Sequence, residues 1–196
     1  MSVPEDSLRE AARTLAEGGL VVYPTETVYG LGADATNPDA IERVFEAKGR
    51  DRDKPVSMAV PDSDAARELV RAPPRTRRFL DEFLPGPVTV LCEKRERVPN
   101  ALTGGRDHVG VRIPDHEVAL ALLEEFAPVT ATSANRSGES NARRAAAVPE
   151  SIREAATVLD GGETPGGEST VVNVESGDIV RRGLLADEVE AWLAEQ

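Results

Sequence analysis

The chain has few of the residues that disulfides, zinc sites and covalent catalysis use. One cysteine and two histidines among 196 residues exclude a disulfide framework and cysteine/histidine zinc spacing. Cys92 lies in the apolar run VTVLC, so we expect a buried small hydrophobic residue there and not a nucleophile. His108 and His116 flank the segment VGVRIP without a local triad partner, which indicates structural or solvated histidines.

Aromatic residues and long apolar runs are also scarce. Aromatics make up 4% of the chain and hydrophobic residues 40%, so the core must be built from aliphatic side chains. No apolar run approaches about 18 residues, and the first ten residues lack the basic-then-apolar order of a signal peptide. We therefore expect a cytoplasmic protein without a membrane segment. The length predicts one compact domain, residues 1–196, that needs no disulfide or metal to fold.

Lysine is the third scarcity. The 23 basic residues include only three lysines and face 35 acidic residues, for a net charge of −12. This balance indicates, as a hypothesis, a protein adapted to a salt-rich cytoplasm. The Debye length is about 3 Å at 1 M salt, so a bound anion would interact mainly with the charges that line its own pocket. The acidity argues against a broad nucleic-acid surface but not against a local phosphate site.

Helical and strand-like segments alternate along the chain, which predicts a layered α/β domain. The first helix is predicted in SLREAARTLAEGG, capped near Asp6 or Ser7 and stopped by Gly18-Gly19. A second helix is predicted to begin after Asn37 and to end at Gly49. Strand pairs with little helix between them indicate a mixed parallel and antiparallel sheet. The predicted strands are LVVYP, PVSMAV, VTVLCEK, VGVRIP, PVTATSAN, TVLDGG, STVVNV and DIVRRG.

The common nucleotide and hydrolase motifs are absent. No G-x-x-x-x-G-K-[ST] and no G-x-S-x-G occurs, and Gly30-Leu31-Gly32 lacks the third glycine of a dinucleotide fingerprint. These absences exclude a P-loop protein and a serine hydrolase with a nucleophile elbow. Polar clusters fall instead where the predicted strands end, which is where α/β proteins usually hold ligands.

Two of these clusters are rich in hydroxyls and cations. Thr25 and Thr27 would share a face if the preceding strand continues, although an ordinary strand-to-loop corner explains them equally well. Four cations fall within the seven residues from Lys48 to Lys54. Such a cluster suits a polyphosphate, because lysine acts as a point charge and arginine as a fork on phosphate oxygens. A solvated loop with self-paired charges is the alternative.

Arg112 interrupts an apolar strand, so it needs an anionic partner, either an internal carboxylate or a ligand. Ser133 and Asn135 lie in a turn that can bind an anion, although a plain Asx turn needs no ligand. Ser169 and Arg181 lie at further strand boundaries. This inventory suits the binding and alignment of anions and not covalent catalysis or metal-bound hydrolysis. The residues alone indicate a phosphorylated ligand and a nucleotidyl transferase.

Seven strings in order give the chain a specific resemblance. PTETVYGLG, KGRDRDKP, PGPVTV, VRIP, TSANRSG, ESTVVNV and RRG resemble the YrdC/Sua5 threonylcarbamoyl-AMP synthases over residues 20–183. The resemblance implies a twisted, mixed sheet flanked by helices, with a concave and positively lined cavity. It also implies a reaction that joins L-threonine, bicarbonate and ATP into threonylcarbamoyl-AMP and diphosphate, with Mg²⁺ accompanying ATP. The chain resembles the short, single-domain form of the family.

The resemblance assigns roles to ten residues, although no carboxylate motif identifies a metal ligand. Thr27, Arg112 and Ser169 are implied as threonine contacts, with Arg112 on the carboxylate. Catalytic roles are implied for Lys48, Arg50 and Ser133. The implied ATP contacts are Lys48, Arg50, Lys54, Ser133, Asn135, Asn141 and Arg181. Some relatives place a histidine after the basic cluster, where this chain has Met58-Ala59.

The resemblance further implies that a tRNA threonylcarbamoyl-transferase complex consumes the product to modify adenosine 37 of tRNA. Two other functions stay open. One is a double-stranded RNA-binding protein without synthase activity, which the net charge and the lack of an aromatic-basic RNA motif disfavour, so that any RNA binding is expected to be weak. The other is a carbamoyl-adenylate-forming relative.

The hypothesis of salt adaptation makes a direct prediction. Because salt screens repulsion among the acidic side chains, we expect the free energy of unfolding to rise as KCl increases to molar concentrations. Urea denaturation at a series of KCl concentrations measures it. A stability that falls steadily over the same range would contradict the hypothesis.

Overall fold

The computed structural model describes residues 3–195. The helices are α1 (Glu5–Ala16), α2 (Pro38–Lys48), α3 (Ser63–Leu69), α4 (Pro74–Phe83), α5 (Asn100–Thr103), α6 (Glu117–Glu125), α7 (Glu150–Ala155) and α8 (Ala186–Glu195), with a 3-10 turn at Ala145–Ala147. The strands are β1 (Leu20–Pro24), β2 (Tyr29–Gly32), β3 (Ser57–Ala59), β4 (Val70–Arg71), β5 (Val88–Lys94), β6 (His108–Arg112), β7 (Val129–Ser133), β8 (Ala156–Val158), β9 (Thr170–Asn173) and β10 (Asp178–Arg181).

The strands form one mixed sheet, which confirms the predicted fold class. The order is β10-β9-β5-β6-β3-β7-β2-β1-β8, with β4 paired to β5 outside this path. Pairs β3–β6, β5–β9 and β1–β8 are parallel, and the other neighbours are antiparallel. The parallel pairs join strands distant in sequence, as crossover connections require.

The two faces of the central strands differ in character. On one face, Met58, Val90, Val109 and Val111 are buried in the main hydrophobic core. Residues one position away point to the opposite face, because side chains alternate along a strand. This second face is concave and holds mostly small or polar residues of β3, β5, β6 and β7: Ser57, Ala59, Thr89, Leu91, His108, Gly110, Arg112, Ala131 and Ser133.

Small residues on the concave face keep it open. A Cβ added to Gly110 would lie 2.2 Å from Ser57 Oγ and 2.8 Å from Thr89 Cγ2, so neighbouring strands leave no room for a side chain there. The sequence therefore builds a hollow by using short side chains on one face and aliphatic ones on the other.

Helix α2 places its last residue at the edge of this hollow. The side chain of Asn37 accepts hydrogen bonds from the backbone N–H groups of Asp39 and Ala40, at 3.0 and 3.3 Å, and this N-cap fixes the start of the helix. Gly49 has a φ of 57°, the left-handed conformation that commonly ends helices. Both signals were predicted, and together they fix Lys48 as the final helical residue.

Some local predictions were wrong. Helix α1 begins at Glu5 after Pro4, and no side chain caps it, so neither Asp6 nor Ser7 is the N-cap. These two acidic and polar residues lie in the first turn, where a carboxylate favours the positive end of the helix dipole. Residues 29–32, predicted as a glycine-rich exit from a strand, form β2. Tyr23 packs against both glycines of this strand.

The predictions for Cys92 and His116 are confirmed. Cys92 is buried, and burial raises the pKa of its thiol to about 12. His116 caps α6, where its Nδ1 accepts a hydrogen bond from the N–H of Val118 at 3.2 Å. Cys92 is a buried core residue and His116 is a helix cap, so both side chains have structural roles.

Candidate functional site

The concave face of the sheet forms the floor of a cavity of about 830 Å³, a size typical of small-molecule sites. All ten residues with predicted site roles line it, although they come from eight different helices, strands and loops. They are Thr27, Lys48, Arg50, Lys54, Arg112, Ser133, Asn135, Asn141, Ser169 and Arg181. Their convergence is the arrangement that the predicted function requires, although it does not by itself fix the role of each residue.

The side chain of Lys48 stabilises the turn that follows β7. Its Nζ donates to the backbone carbonyls of Ser133 and Asn135, the latter at 2.8 Å. The Asn135 amide donates to the carbonyls of Arg136 and Glu139, both at 2.8 Å. The turn is thus more than an isolated Asx turn, because a buried cation and a buried amide hold its backbone in place.

The side chain of Arg50 is held by hydrogen bonds to the loop between α2 and β3. Its Nε and Nη2 donate to the carbonyls of Lys54 and Pro55, at 3.1 and 3.0 Å. Lys54 pairs with Asp51 at 2.9 Å, and both of these side chains are exposed. The basic cluster therefore combines both alternatives: Arg52 and Lys54 pair with carboxylates at the surface, and Lys48, Arg50 and Lys54 line the cavity.

Lys48, Arg50 and Arg181 are close enough to influence one another electrostatically. Burial, and secondarily the charge of Arg50, lowers the pKa of Lys48 to about 8. Burial also lowers the pKa of Arg50, with opposing contributions from Asp51 and Arg181. The hydrogen-bond acceptors of Lys48 and Arg50 are uncharged oxygens. Their positive charge is consequently available to an anionic ligand.

Arg112 lies at the start of a directed chain of hydrogen bonds. Its Nη2 donates to Thr27 Oγ1 at 2.9 Å, and Thr27 Oγ1 lies 3.0 Å from Thr25 Oγ1. Because the Thr25 hydroxyl donates to the carbonyl of Val28 at 2.7 Å, Thr27 is the donor to Thr25. The two threonine hydroxyls do share a side, but through a turn and not a continued strand. Arg112 also pairs with a carboxylate, Glu26, at 3.0 Å, so the alternative of an internal carboxylate is confirmed, and Arg112 lines the cavity as well.

Ser169 and Arg181 form a third group. Arg181 donates to the carbonyl of Ser169 through Nε and Nη2, at 3.1 and 2.9 Å, and to its hydroxyl at 2.8 Å. Ser169 Oγ also lies 2.9 Å from Thr89 Oγ1. In this structure Arg181, predicted as an ATP contact, is held by a residue predicted for threonine.

The strand register separates two ends of the cavity. Arg112 is level with Ala59, and Ala59 with Val129. Ser133, where Lys48 binds, lies four residues further along β7, about 13 Å at roughly 3.3 Å per residue. Val90 pairs with Val111 across β5 and β6, so Thr89, the neighbour of Ser169, lies near the level of Arg112. We call the region of Lys48 and Arg50 the cation end, and the region of Arg112 and Thr27 the Arg112 end.

Three site residues were missed by the sequence analysis. Arg106 and His108 line the cavity, and a signal for them existed: residues 106, 108, 110 and 112 alternate, so they share one face of β6 and its entrance. Glu26 gave no comparable signal, since a glutamate between two threonines is typical of an exposed loop.

Within residues 3–195, no group of three or more histidine, cysteine, aspartate or glutamate side chains is placed to hold a metal. In the same part of the chain, no helix combines the length and apolar character that crossing a membrane requires.

Known proteins resemble the chain over nearly its whole length. The Sua5/yciO/yrdC family model, described as "Telomere recombination", matches residues 13–183. The threonylcarbamoyl-AMP synthase of Pyrococcus abyssi is 41% identical over 98% of this chain, and that of Bacillus subtilis is 36% identical over 97%. The chain spans 59% and 58% of the lengths of these two relatives.

A solved structure gives the same result for the fold. The crystal structure of P. abyssi Sua5 complexed with L-threonine superposes with a TM-score of 0.94 and 40% identity, covering 100% of this chain and 59% of that one. The matched family model, the identities and this superposition agree with the resemblance of the seven sequence strings. The chain is a member of the Sua5/YciO/YrdC family.

Proposed function

We propose that the chain is an L-threonylcarbamoyladenylate synthase, which makes threonylcarbamoyl-AMP and diphosphate from L-threonine, bicarbonate and ATP. The observation that carries the proposal is a single cavity with two chemically different ends. Lys48 and Arg50, which donate only to uncharged oxygens, lie at one end, and an arginine with a hydroxyl neighbour lies at the other. A polyphosphate suits the first, and the carboxylate of an amino acid suits the second.

The reaction needs alignment more than covalent help. The threonine ammonium group loses a proton, the resulting amine adds to the carbon of bicarbonate, one water leaves, and a carbamate forms. A carbamate oxygen then bonds to the α-phosphorus of ATP while the bond to the leaving diphosphate breaks. In such phosphoryl-group chemistry, most catalysis comes from positioning and charge neutralisation. The hydroxyls, amides and cations of the cavity supply both.

Each cavity group then has a task. Lys48, Arg50 and Lys54 bind the triphosphate, and Lys48 also keeps the turn containing Ser133 and Asn135 in position beside the nucleotide. Asn141 and Arg181 complete the nucleotide contacts. Arg112 binds the threonine carboxylate, with Thr27 and Ser169 as neighbours of the amino acid.

Mg²⁺ is proposed to enter with ATP. Magnesium is commonly bound through one or two carboxylates and the phosphates of a substrate. The cavity fits that pattern, because Glu139 and Glu168 are the carboxylates among its lining residues and would hold the ion together with the triphosphate. The ion would neutralise charge that develops on the leaving diphosphate.

A cytoplasmic location and delivery of the product to a tRNA threonylcarbamoyl-transferase complex belong to the same proposal. The main competitor is a carbamoyl-adenylate-forming activity, which would use the cation end and leave the Arg112 end without an amino acid. RNA binding without catalysis is the weaker alternative, because the cations lie inside a cavity and the net charge of the chain is −12.

Diphosphate release from ATP tests the proposed reaction. Threonine and bicarbonate are omitted in turn, and diphosphate is measured with a coupled assay. We expect release only when both are present, since ATP is attacked by their carbamate. Release that ignores threonine would favour the carbamoyl-adenylate alternative.

Substitution of one arginine at each end should separate the two substrates. We expect Arg50→Ala to weaken ATP binding by about 10–100-fold, the loss of charge-assisted hydrogen bonds, and to leave threonine binding nearly unchanged. Arg112→Ala should do the reverse. Calorimetric titration with each ligand measures both effects.

Arg52→Ala is the matched control for these two variants. Arg52 lies in the same loop but pairs with Glu42 at the surface and should bind both ligands as the wild type does. Arg50→Ala and Arg112→Ala proteins that bind both substrates normally would contradict the assignment of the two ends.

Lys48 should make ATP binding depend on pH. Its pKa of about 8 leaves it largely neutral near pH 9 (about one unit higher), whereas bound phosphates favour its charged form and raise the pKa. ATP binding near pH 9 should therefore take up close to one proton, and binding near pH 7 should take up much less from this group. ATP affinity should fall as the pH rises through the lowered pKa.

Calorimetry in buffers with different ionisation enthalpies counts the protons. The control is Lys48→Met, which carries no titrating group and should lose this uptake near pH 9. Equal uptake by both proteins would show that another residue is responsible.

A further inference from the structure

The ion pair between Glu26 and Arg112 differs from the others in its burial. Glu26 Oε1 lies 3.0 Å from Arg112 Nη2, and the two side chains are 12% and 14% exposed. In the other ion pairs found among the described residues, both side chains are at least 40% exposed. A carboxylate has therefore been placed in the interior, directly beside a cavity arginine.

The pair is not well satisfied as a stabilising element. Neither carboxylate oxygen of Glu26 accepts an aligned hydrogen bond, and the buried Nε of Arg112 has no acceptor. Buried ion pairs with unsatisfied atoms contribute little to stability, because desolvation offsets their attraction. The location of Glu26 is better explained by what it does to Arg112.

Glu26 lies behind Arg112 as seen from the cavity. Arg112 and Thr27 are lining residues, and Glu26 is not among them. Nη2 of Arg112 has two anchors, the Glu26 carboxylate at 3.0 Å and the Thr27 hydroxyl at 2.9 Å. Glu26 thus acts on a ligand only through Arg112 and through its own charge, which makes it a positioning residue.

Its charge makes the two ends of the cavity electrically unequal. Lys48 and Arg50 donate to uncharged oxygens, so no directly bonded carboxylate offsets their positive charge at the cation end. At the Arg112 end the carboxylate of Glu26 offsets the guanidinium. A ligand with net negative charge is attracted to the first end and gains little at the second. A zwitterion can still bind its carboxylate to the guanidinium without adding net charge.

We propose that Glu26 sets the charge selectivity of the Arg112 end, so that this end accepts a zwitterionic amino acid and rejects ligands of net negative charge, including the phosphates of ATP. The inference rests on the proposed function, because it takes threonine as the ligand of Arg112. It adds a reason why two anionic groups in one cavity do not exchange places.

The test compares L-threonine with 3-hydroxybutyrate, which lacks the ammonium group and carries a net negative charge. The Kd of each is measured by calorimetry, or by competition against labelled threonine. In Glu26→Gln, the affinity for 3-hydroxybutyrate relative to threonine should rise by about tenfold over the wild-type ratio, which corresponds to about 1.4 kcal/mol.

Two variants separate charge from position. Glu26→Asp keeps the charge, so it should keep the wild-type ratio even if both affinities fall. Thr27→Val removes the uncharged anchor of Arg112 and should weaken both ligands by a similar factor, which also leaves the ratio unchanged. If Glu26→Gln fails a thermal-unfolding control, the variant Glu26→Ser, which removes the same charge, is used in its place.

The outcomes distinguish the two levels of the proposal. Threonine that binds the wild type, together with an unchanged ratio in the charge-free variant, overturns the role of Glu26 alone. A ratio that shifts equally in Glu26→Asp also overturns it, since charge would not be the cause. Threonine that fails to bind the wild-type protein overturns the proposed function and this inference with it.

Discussion

Lys48 and Arg50 lie close enough to influence each other, and the structure binds both of them only to uncharged oxygens. A carboxylate partner would relieve their repulsion, but it would also cancel the charge that an anionic ligand needs. Backbone carbonyls hold both side chains in place without doing so. Burial, and secondarily the charge of Arg50, lowers the pKa of Lys48 to about 8, and a bound polyphosphate would raise it again.

The fold supplies this arrangement through simple geometric rules. Alternation along β3, β5, β6 and β7 buries aliphatic residues on one face and leaves short ones on the other, so a cavity opens on the sheet. Helix α2 ends at Gly49 and delivers Lys48 to the end of β7. The same strand register separates Lys48 from Arg112, so the cavity has two distinct ends.

The sequence predicted those parts that depend on local signals. Asn37 and Gly49 bound α2 as expected, and polar residues at strand ends converge on the cavity. Strand β2 was missed because its two glycines suggest a turn, and their packing against Tyr23 is a tertiary effect. Glu26 was missed because its partner lies on a distant strand. Arg106 and His108 could have been found from the period of two that they share with Arg112.

The central claim is that one cavity has a phosphate-binding end and a separate end for the amino acid. Inorganic diphosphate tests it most directly, since it carries the charge of the leaving group and nothing else of ATP. Its binding is measured in competition with ATP and, separately, with L-threonine. The account predicts that diphosphate displaces ATP and leaves threonine bound. Diphosphate that displaces threonine as readily, or that fails to displace ATP, would contradict it.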